Sequence, residues 1–273
     1  MMRSLWTAAS GMISQQQNVD NIANNLANVN TTGYKKERME FKTLLYETMK
    51  RADLDPANRT GRPVNLQVGH GVRPVSVSRM FTMGNLQRTD NPQDLAIEGR
   101  GFFAIRMNMD EIRYTKDGTF KLSPVAEGNM LVTSEGYAVL SSDGEEIVFP
   151  YDVIMSFVSI DEGGNFYYTP ANGGETMDLG FQLLLVQFPN EQGLEAMGNN
   201  LFMETVASGA PLSEPDGEVV RPSRIMQGVL EMSNVQAAEE MVNLIVAQRA
   251  YDLNSKAITT SDDMLQTANN LKR

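Results

Sequence analysis

Apolar positions at the carboxyl-terminal end of the chain repeat with a period of seven. Residues 233–271 include no Gly and no Pro, and an apolar residue stands at every seventh position: Leu244, Tyr251, Ile258 and Leu265. This spacing is typical of a helix that pairs lengthwise with another helix. Ser233, followed three residues later by Gln236, predicts a capping box at the helix start. At about 1.5 Å per residue the helix would be roughly 55 Å long, so it needs a partner.

The amino-terminal end of the chain supplies a matching stripe. Its positions alternate three and four apart, which places them on one face of a helix: Leu5, Ala8, Met12, Gln15, Val19, Ile22, Leu26 and Val29. This helix should end near residues 30–33, because Thr31 and Thr32 are poor helix formers and Gly33 is a common left-handed stop.

The two stripes allow two interpretations. They are either amphipathic helices packed on a globular body, or helices that pair in a coiled-coil-like manner and drive self-assembly. The narrow stripes and their place at the chain ends favour the second. The predicted self-assembly seam comprises both stripes and three further residues of the carboxyl-terminal helix: Ala237, Met241 and Gln248.

Four amides run beside the amino-terminal stripe: Asn18, Asn21, Asn25 and Asn28. They are either a solvated face or amides that set the register between packed helices, because a buried amide needs specific hydrogen-bond partners.

Between the ends the pattern changes. Residues 35–51 favour neither helix nor strand, and residues 53–71, rich in Pro, Asn, Gly and Arg, predict an irregular arm. From residue 72 the period is two, with recurrent turn pairs, and Asp117–Gly118 between two β-rich runs predicts a tight hairpin turn. The predicted fold is therefore α+β: a helical assembly domain of residues 1–33 with 229–273, a connecting arm of 34–71, and an antiparallel all-β outer domain of 72–228.

Composition narrows the function. The chain has 273 residues, a net charge of −11, no cysteine and one histidine. The acidic charge argues against a nucleic-acid partner, and the absence of cysteine excludes disulfides and thiolate metal sites. His70 lies between two glycines, and a lone histidine does not make a metal cluster. We therefore predict no catalytic residue, no cofactor and no metal. No apolar run reaches the ~18 residues of a membrane span, and residues 1–6 lack the pattern of a cleaved secretory signal.

Three segments, in order, resemble the bacterial flagellar rod and hook protein family. NIANNLANVNTTGYK (21–35) is similar to the amino-terminal signature of that family, and VAQRAYDLNSKAITTSDDMLQ (246–266) to its carboxyl-terminal signature. The β-domain motifs IEGRGFFAI (97–105), YTKDGTFKLS (114–123) and LVTSEGYAVL (131–140) agree as well. Within the family, NLQVGHGVRPV, GLEAMGNNLF and QGVLEMSNV most resemble subunits of the distal rod, and the chain is too short for the extra domain of the hook protein.

The resemblance implies a structural subunit of the basal body that crosses the periplasm and is exported through the flagellar type III apparatus without a cleaved signal. It implies a helical homopolymer, a tubular drive shaft that carries torque from motor to hook. The implied partners are copies of this chain, neighbouring rod and hook subunits, and the surrounding peptidoglycan-ring and outer-membrane-ring proteins. A proximal rod or hook subunit is the nearer alternative, and a hydrolase using β-domain carboxylates the remote one.

Overall fold

The chain divides into two compact units. A computed structural model describes residues 2–54, 61–62, 64–108, 111–170, 176–215, 217, 219 and 221–271. The first unit, the helical unit, comprises Met1–Ala27, Glu37–Ser78 and Gln236–Arg273. The second, the β unit, comprises Asn28–Lys36 and Arg79–Val235. The architecture of two terminal helices and a central antiparallel β region agrees with the predicted α+β class.

The helical unit has one long helix from each end of the chain, α1 (Met2–Ala27) and α2 (Ala237–Asn270). The predicted capping box of α2 is wrong. The residue at the helix N-cap is Gln236, with no side-chain capping hydrogen bond, whereas the Ser233 hydroxyl accepts the Val235 N–H at 3.2 Å. This local turn uses the serine oxygen before the helix begins. Among the described residues, neither helix has the length and apolar content that a bilayer crossing requires.

Helix α1 ends earlier than the apolar stripe suggests. Asn28 and Val29 lie in the turn after Ala27, and the segment Asn28–Lys36 groups with the β unit instead of the helices. Gly33 adopts a left-handed backbone with φ 67°, and its N–H donates to the Glu231 carbonyl at 2.8 Å. Gly33 therefore makes a contact within the β unit. It lies beyond the end of α1, although its residue type predicted that it would terminate the helix.

The arm predicted to be irregular is a β ribbon within the helical unit. Its strands nest as three pairs, β1 with β6, β2 with β5 and β3 with β4: β1 (Glu37–Thr43), β2 (Tyr46–Lys50), β3 (Asp53–Leu54), β4 (Gly61–Arg62), β5 (Leu66–Gly69) and β6 (Val72–Arg79). All five residues of β2 are exposed. A strand with no buried face has no apolar alternation, so β2 leaves no period-two signal. Strand β6 lies within the region from residue 72 that the sequence did predict as β.

The β unit holds the remaining strands: β7 (Leu86–Arg88), β8 (Leu95–Glu98), β9 (Phe102–Asn108), β10 (Glu111–Thr115), β11 (Lys121–Val125), β12 (Gly128–Val132), β13 (Ala138–Val139), β14 (Val148–Phe149), β15 (Val158–Ile160), β16 (Asn165–Tyr168), β17 (Met177–Gln182), β18 (Leu185–Gln187), β19 (Glu195–Gly198), β20 (Leu201–Met203), β21 (Leu212–Ser213), β22 (Arg224–Gln227) and β23 (Val229–Glu231). The main sheet runs in the order β11-β12-β13-β9-β10-β20-β19. Its neighbours are antiparallel. Two short 3-10 turns, Met155–Phe157 and Glu191–Gly193, complete the unit.

Strand β9 lies at the centre of the core. Its residues alternate between two buried clusters, Phe103 and Ile105 in one and Phe102 and Ala104 in the other. A strand covered on both faces needs apolar residues at successive positions, which is why FFAI reads as a continuous run. Edge-to-face aromatic pairs fill the second cluster, such as Phe102 with Phe188 at 5.7 Å between ring centroids.

The predicted Asp117–Gly118 hairpin is wrong. Strand β10 pairs with β9 and β20, and β11 pairs with β12, so the strands that flank Asp117 are not partners. Asp117 instead accepts the Thr119 N–H at 3.1 Å. The Gly118 carbonyl accepts the Leu95 N–H at 3.0 Å. The glycine is required by this close approach to Leu95, because a Cβ on Gly118 would lie 1.7 Å from the Leu95 carbonyl oxygen.

Gly118→Ala should therefore destabilise the β unit by roughly 3 kcal/mol, since the clash involves backbone that cannot swing aside. Thermal unfolding of the purified chain measures the loss. The matched control is Gly163→Ala, whose new Cβ would meet only the Asn165 side chain at 3.4 Å. Equal stability of the two variants would contradict this account of Gly118.

Lys116 is a buried cation in the β unit. It is 3% exposed, its Nζ donates to the Gly99 carbonyl at 2.9 Å, and it lies 5.0 Å from the centroid of the Phe102 ring. The pKa of Lys116 is lowered to about 8, mainly by burial and secondarily by the positive charge of Lys35. The charged form is therefore disfavoured in the folded chain.

This pKa predicts a pH dependence of stability. Between pH 8 and the ordinary lysine pKa of 10.5, the unfolded chain keeps a proton that folded Lys116 has lost, so the contribution of Lys116 to stability rises with pH. Measured against Lys116→Met by chemical denaturation, the parent chain should gain about 3 kcal/mol between pH 7.5 and pH 10.5. A pH-independent difference would contradict a charged, buried Lys116.

Candidate assembly surface on the terminal helices

Helices α1 and α2 pair antiparallel, with contacts that recur in steps of seven residues. The Ser4 and Ser261 hydroxyls are 3.4 Å apart. Gly11 lies against Asn254, and Asn25 donates through Nδ2 to Glu240 Oε2 at 3.2 Å. Each step of seven or fourteen along α1 is matched by an equal step back along α2. The same register places Asn18 beside Ala247.

Gly11 lets the two helices approach closely. A Cβ atom at this position would lie 2.9 Å from Asn254 Nδ2, so a larger side chain would displace the asparagine. The glycine costs α1 about 1 kcal/mol of helix propensity relative to alanine. The close contact explains why the helix keeps it.

Asn25 makes hydrogen bonds to two other elements of the helical unit. It is 1% exposed. Its amide donates to the Glu37 carbonyl at 2.8 Å and accepts the Glu37 N–H at 2.9 Å, in addition to the Glu240 contact. The side chain thus joins α1, α2 and the start of the ribbon.

The predicted register amides divide into two groups. Asn21 and Asn25 are buried, and Asn21 Nδ2 reaches Glu37 Oε2 at 3.5 Å. Asn18 is half-buried and contacts Gln15 at 3.5 Å, while Asn28 accepts the Thr31 hydroxyl at 3.1 Å in the turn beyond the helix. Buried amides with defined partners are the pattern expected of residues that fix register.

The predicted seam residues are spread over several degrees of exposure. Ala8 and Ile22 are buried, and Met241, Gln248 and Tyr251 are exposed. The rest are half-buried: Leu5, Met12, Gln15, Val19, Leu26, Val29, Ala237, Leu244, Ile258 and Leu265. Val29 lies outside the helix. The role of the seam in self-assembly stays a prediction.

Sequence reasoning missed a row of residues on the contact face of α2. Glu240, Ala247, Asn254 and Ser261 recur every seven residues and face α1 or are buried. Three of them are polar and one is small, so an apolar pattern passes over them. Their own period of seven was the available signal.

A second face of α2 is apolar and exposed. We call this face the open stripe, and its apolar residues are Val246, Ala250, Leu253, Ala257 and Met264. They are spaced alternately four and three residues apart, and Thr260 occupies the position between Ala257 and Met264. Val246, Leu253 and Met264 are 61%, 67% and 49% exposed. Val246, Leu253 and Thr260 directly precede Ala247, Asn254 and Ser261 of the α1-facing side, so these positions of the open stripe are turned about 100° away from α1. On α1, Trp6 and Ile13, seven residues apart, are also exposed.

The surroundings of the single histidine do not suggest metal chemistry. His70 Nε2 lies 3.6 Å from Glu47 Oε2 in the ribbon. Across the described ranges, no three His, Asp or Glu side chains are placed to hold a metal ion.

Three family models match successive parts of the chain. Residues 5–35 match the flagella basal body rod protein model, residues 96–168 the flagellar hook protein FlgE/F/G D1 domain, and residues 226–271 the flagellar basal body rod FlgEFG protein C-terminal domain. A flagellar basal-body rod protein FlgG of Borreliella burgdorferi is 50% identical over 273 residues, the full length of both chains. The chain belongs to the flagellar basal-body rod protein family.

Two further relatives give the breadth of this rod family. The flagellar basal-body rod protein FlgG of Caulobacter vibrioides is 40% identical, covering 99% of this chain and all of its own. The flagellar hook-basal body complex protein FlhP of Bacillus subtilis is 34% identical over the full length of both chains. The family models cover residues 5–27 of α1, all of α2 and β9, so most of the helix pair and the core strand lie within the matched regions.

Proposed function

We propose that this chain is a structural subunit of the distal rod of the bacterial flagellum and that it polymerises through its terminal helices. The names of its full-length relatives support the rod assignment. The observation that carries the self-assembly proposal is the open stripe, because α2 already uses its other face for α1 and still exposes an apolar row. Such rows on soluble proteins usually mark an interaction site.

The α1–α2 pair is coiled-coil-like in this proposal. Support comes from the contacts at Ser4, Gly11 and Asn25, which follow a period of seven on both helices. A polar contact such as Asn25 with Glu240 specifies register at some cost in stability. The open stripe, with the same period, then packs against a helix of another copy.

The polymer is a helical tube in which the terminal helices carry the axial contacts between copies. Torque passes from motor to hook through these contacts, and no catalytic step is involved. The neighbours are other rod subunits and hook subunits. The export apparatus and the surrounding peptidoglycan-ring and outer-membrane-ring proteins are further partners in this proposal, located at the basal body in the periplasm.

Electron cryo-microscopy of the polymer grown from purified full-length chain tests the proposal. A straight hollow tube with Val246 and Leu253 buried between copies is the expected result. A supercoiled tube would contradict a distal rod subunit and favour a hook subunit. A chain that stays monomeric while folded would contradict self-assembly.

A further inference from the structure

The chain passes between the two units four times, after residues 27, 36, 78 and 235. Three of these crossings leave the β unit at one small cluster. Met80 N–H donates to the Lys36 carbonyl at 2.9 Å, and Lys36 N–H donates to Asn234 Oδ1 at 2.7 Å. Asn234 Nδ2 donates to the Met80 carbonyl at 2.8 Å. Three chain segments that are distant in sequence thus form a closed ring of hydrogen bonds.

An ion pair lies immediately inside this ring. Lys35 Nζ is 2.6 Å from Glu231 Oε1, and both side chains are 1% exposed. Lys35 also donates to the Thr82 carbonyl at 3.0 Å, and the same Glu231 oxygen accepts the Gly84 N–H at 2.7 Å. One ion pair therefore joins the three segments that lead to the crossings.

The energetics of such a pair favour a geometric role. Taking two charges out of water costs about as much as their attraction returns, and a neutral replacement of similar shape is often equally stable. What a charged pair adds is directional hydrogen bonds that a neutral pair reproduces poorly. Here those bonds fix the relative positions of three chain segments within the β unit.

We propose that Lys35 and Glu231 are positioning residues that fix the directions in which the chain leaves the β unit. Because three chain segments leave the β unit from one cluster, a rotation of one unit against the other must deform all three segments at once. The three connections together therefore resist twisting. For a rod subunit this stiffness conveys torsion between the units. Only that last consequence rests on the proposed function.

The test uses the full-length chain with Lys35→Met and Glu231→Gln combined. Methionine keeps the length of the lysine stem, and glutamine keeps an acceptor for the Gly84 N–H. The Thr82 carbonyl retains Asn234 Nδ2 as a donor at 3.1 Å. Because the chain has no cysteine, Glu127→Cys in the β unit and Thr259→Cys on α2, both at exposed positions, carry two spin labels, whose distance distribution is measured on the monomer.

We expect the distribution to broaden in the double variant while the melting temperature of the β unit stays within about 3 °C of the parent. The single Lys35→Met should lower that temperature by roughly 10 °C, because it leaves a buried carboxylate without its ammonium partner. The control ion pair is Arg88–Asp90, 81% and 73% exposed, and Arg88→Met with Asp90→Asn should change neither measurement.

Two results would overturn the proposal. An unchanged distribution in the double variant would show that the pair does not set the crossing geometry. A double variant that melts as low as Lys35→Met would show that the pair serves stability. Both measurements are made on monomer, so they are independent of whether the chain polymerises through the open stripe.

Discussion

We expect Leu253→Asp to abolish polymer growth and to leave both units folded. Leu253 is at the centre of the open stripe and 67% exposed in the single chain, so the aspartate meets water until a second copy docks. In the proposed polymer it would become a carboxylate in a dry contact, at a cost of several kcal/mol. Because that cost recurs at every subunit, growth should fail completely. Sedimentation and electron microscopy measure the polymer, and circular dichroism the fold.

Two neighbouring substitutions sharpen this result. Asp252→Ala changes an exposed residue one position away and should polymerise like the parent chain. Tyr251→Asp should also block growth, but by a different route, because Tyr251 lines a groove with Val19 of α1 and the new charge weakens the helix pair itself. Leu253→Asp tubes that grow at the parent rate would show that assembly uses another face.

We expect deletion of residues 1–36 to destabilise the β unit and deletion of residues 1–27 to leave its stability almost unchanged. The shorter deletion removes α1 alone. The longer one also removes Lys35, which leaves Glu231 buried without its counter-charge, together with the Gly33 and Lys36 contacts. We expect the β unit to melt roughly 10 °C lower after the longer deletion and within about 3 °C of the parent after the shorter one. Calorimetry measures both transitions.

The paired deletions test where the units divide. Both should fail to polymerise because both lack α1, so only the melting transition separates them. A cut after Thr32 keeps Lys35 but removes the carbonyl that accepts Asn200 Nδ2 at 2.8 Å, so it should fall between the two. Equal melting of the two deletions would show that residues 28–36 are no integral part of the β unit.

The sequence is informative where one face of an element is apolar and the other polar. The two helices and the β region follow from such patterns, and the terminal motifs identify the family. The contact face of α2 could not be found this way, because Glu240, Asn254 and Ser261 are polar and become buried only through specific partners on α1. Strand β2 of the ribbon escaped prediction because all of its residues are exposed, whereas β6 lies in the region from residue 72 where the sequence predicted strands.

At two positions, contacts between residues distant in sequence determine the structure and override the local sequence signal. Asp117–Gly118 has the composition of a tight turn, but β10 finds its partners in β9 and β20, and the glycine is needed for the approach to Leu95. Lys35 reads as an ordinary charged residue after a turn. Its charge is paired in the buried site with Glu231, which is 196 residues away along the chain. A local sequence pattern does not predict such a pair.

The pairing of α1 with α2 joins residues that are far apart along the chain, 257 positions for Ser4 and Ser261 and 215 for Asn25 and Glu240. Contacts at such separation form late in folding, since the loop between them must close first. A translation product that stops before residue 237 possesses α1 but can never complete the pair. If the chain polymerises as proposed, only a chain that includes α2 can present the α1–α2 pair to a second copy.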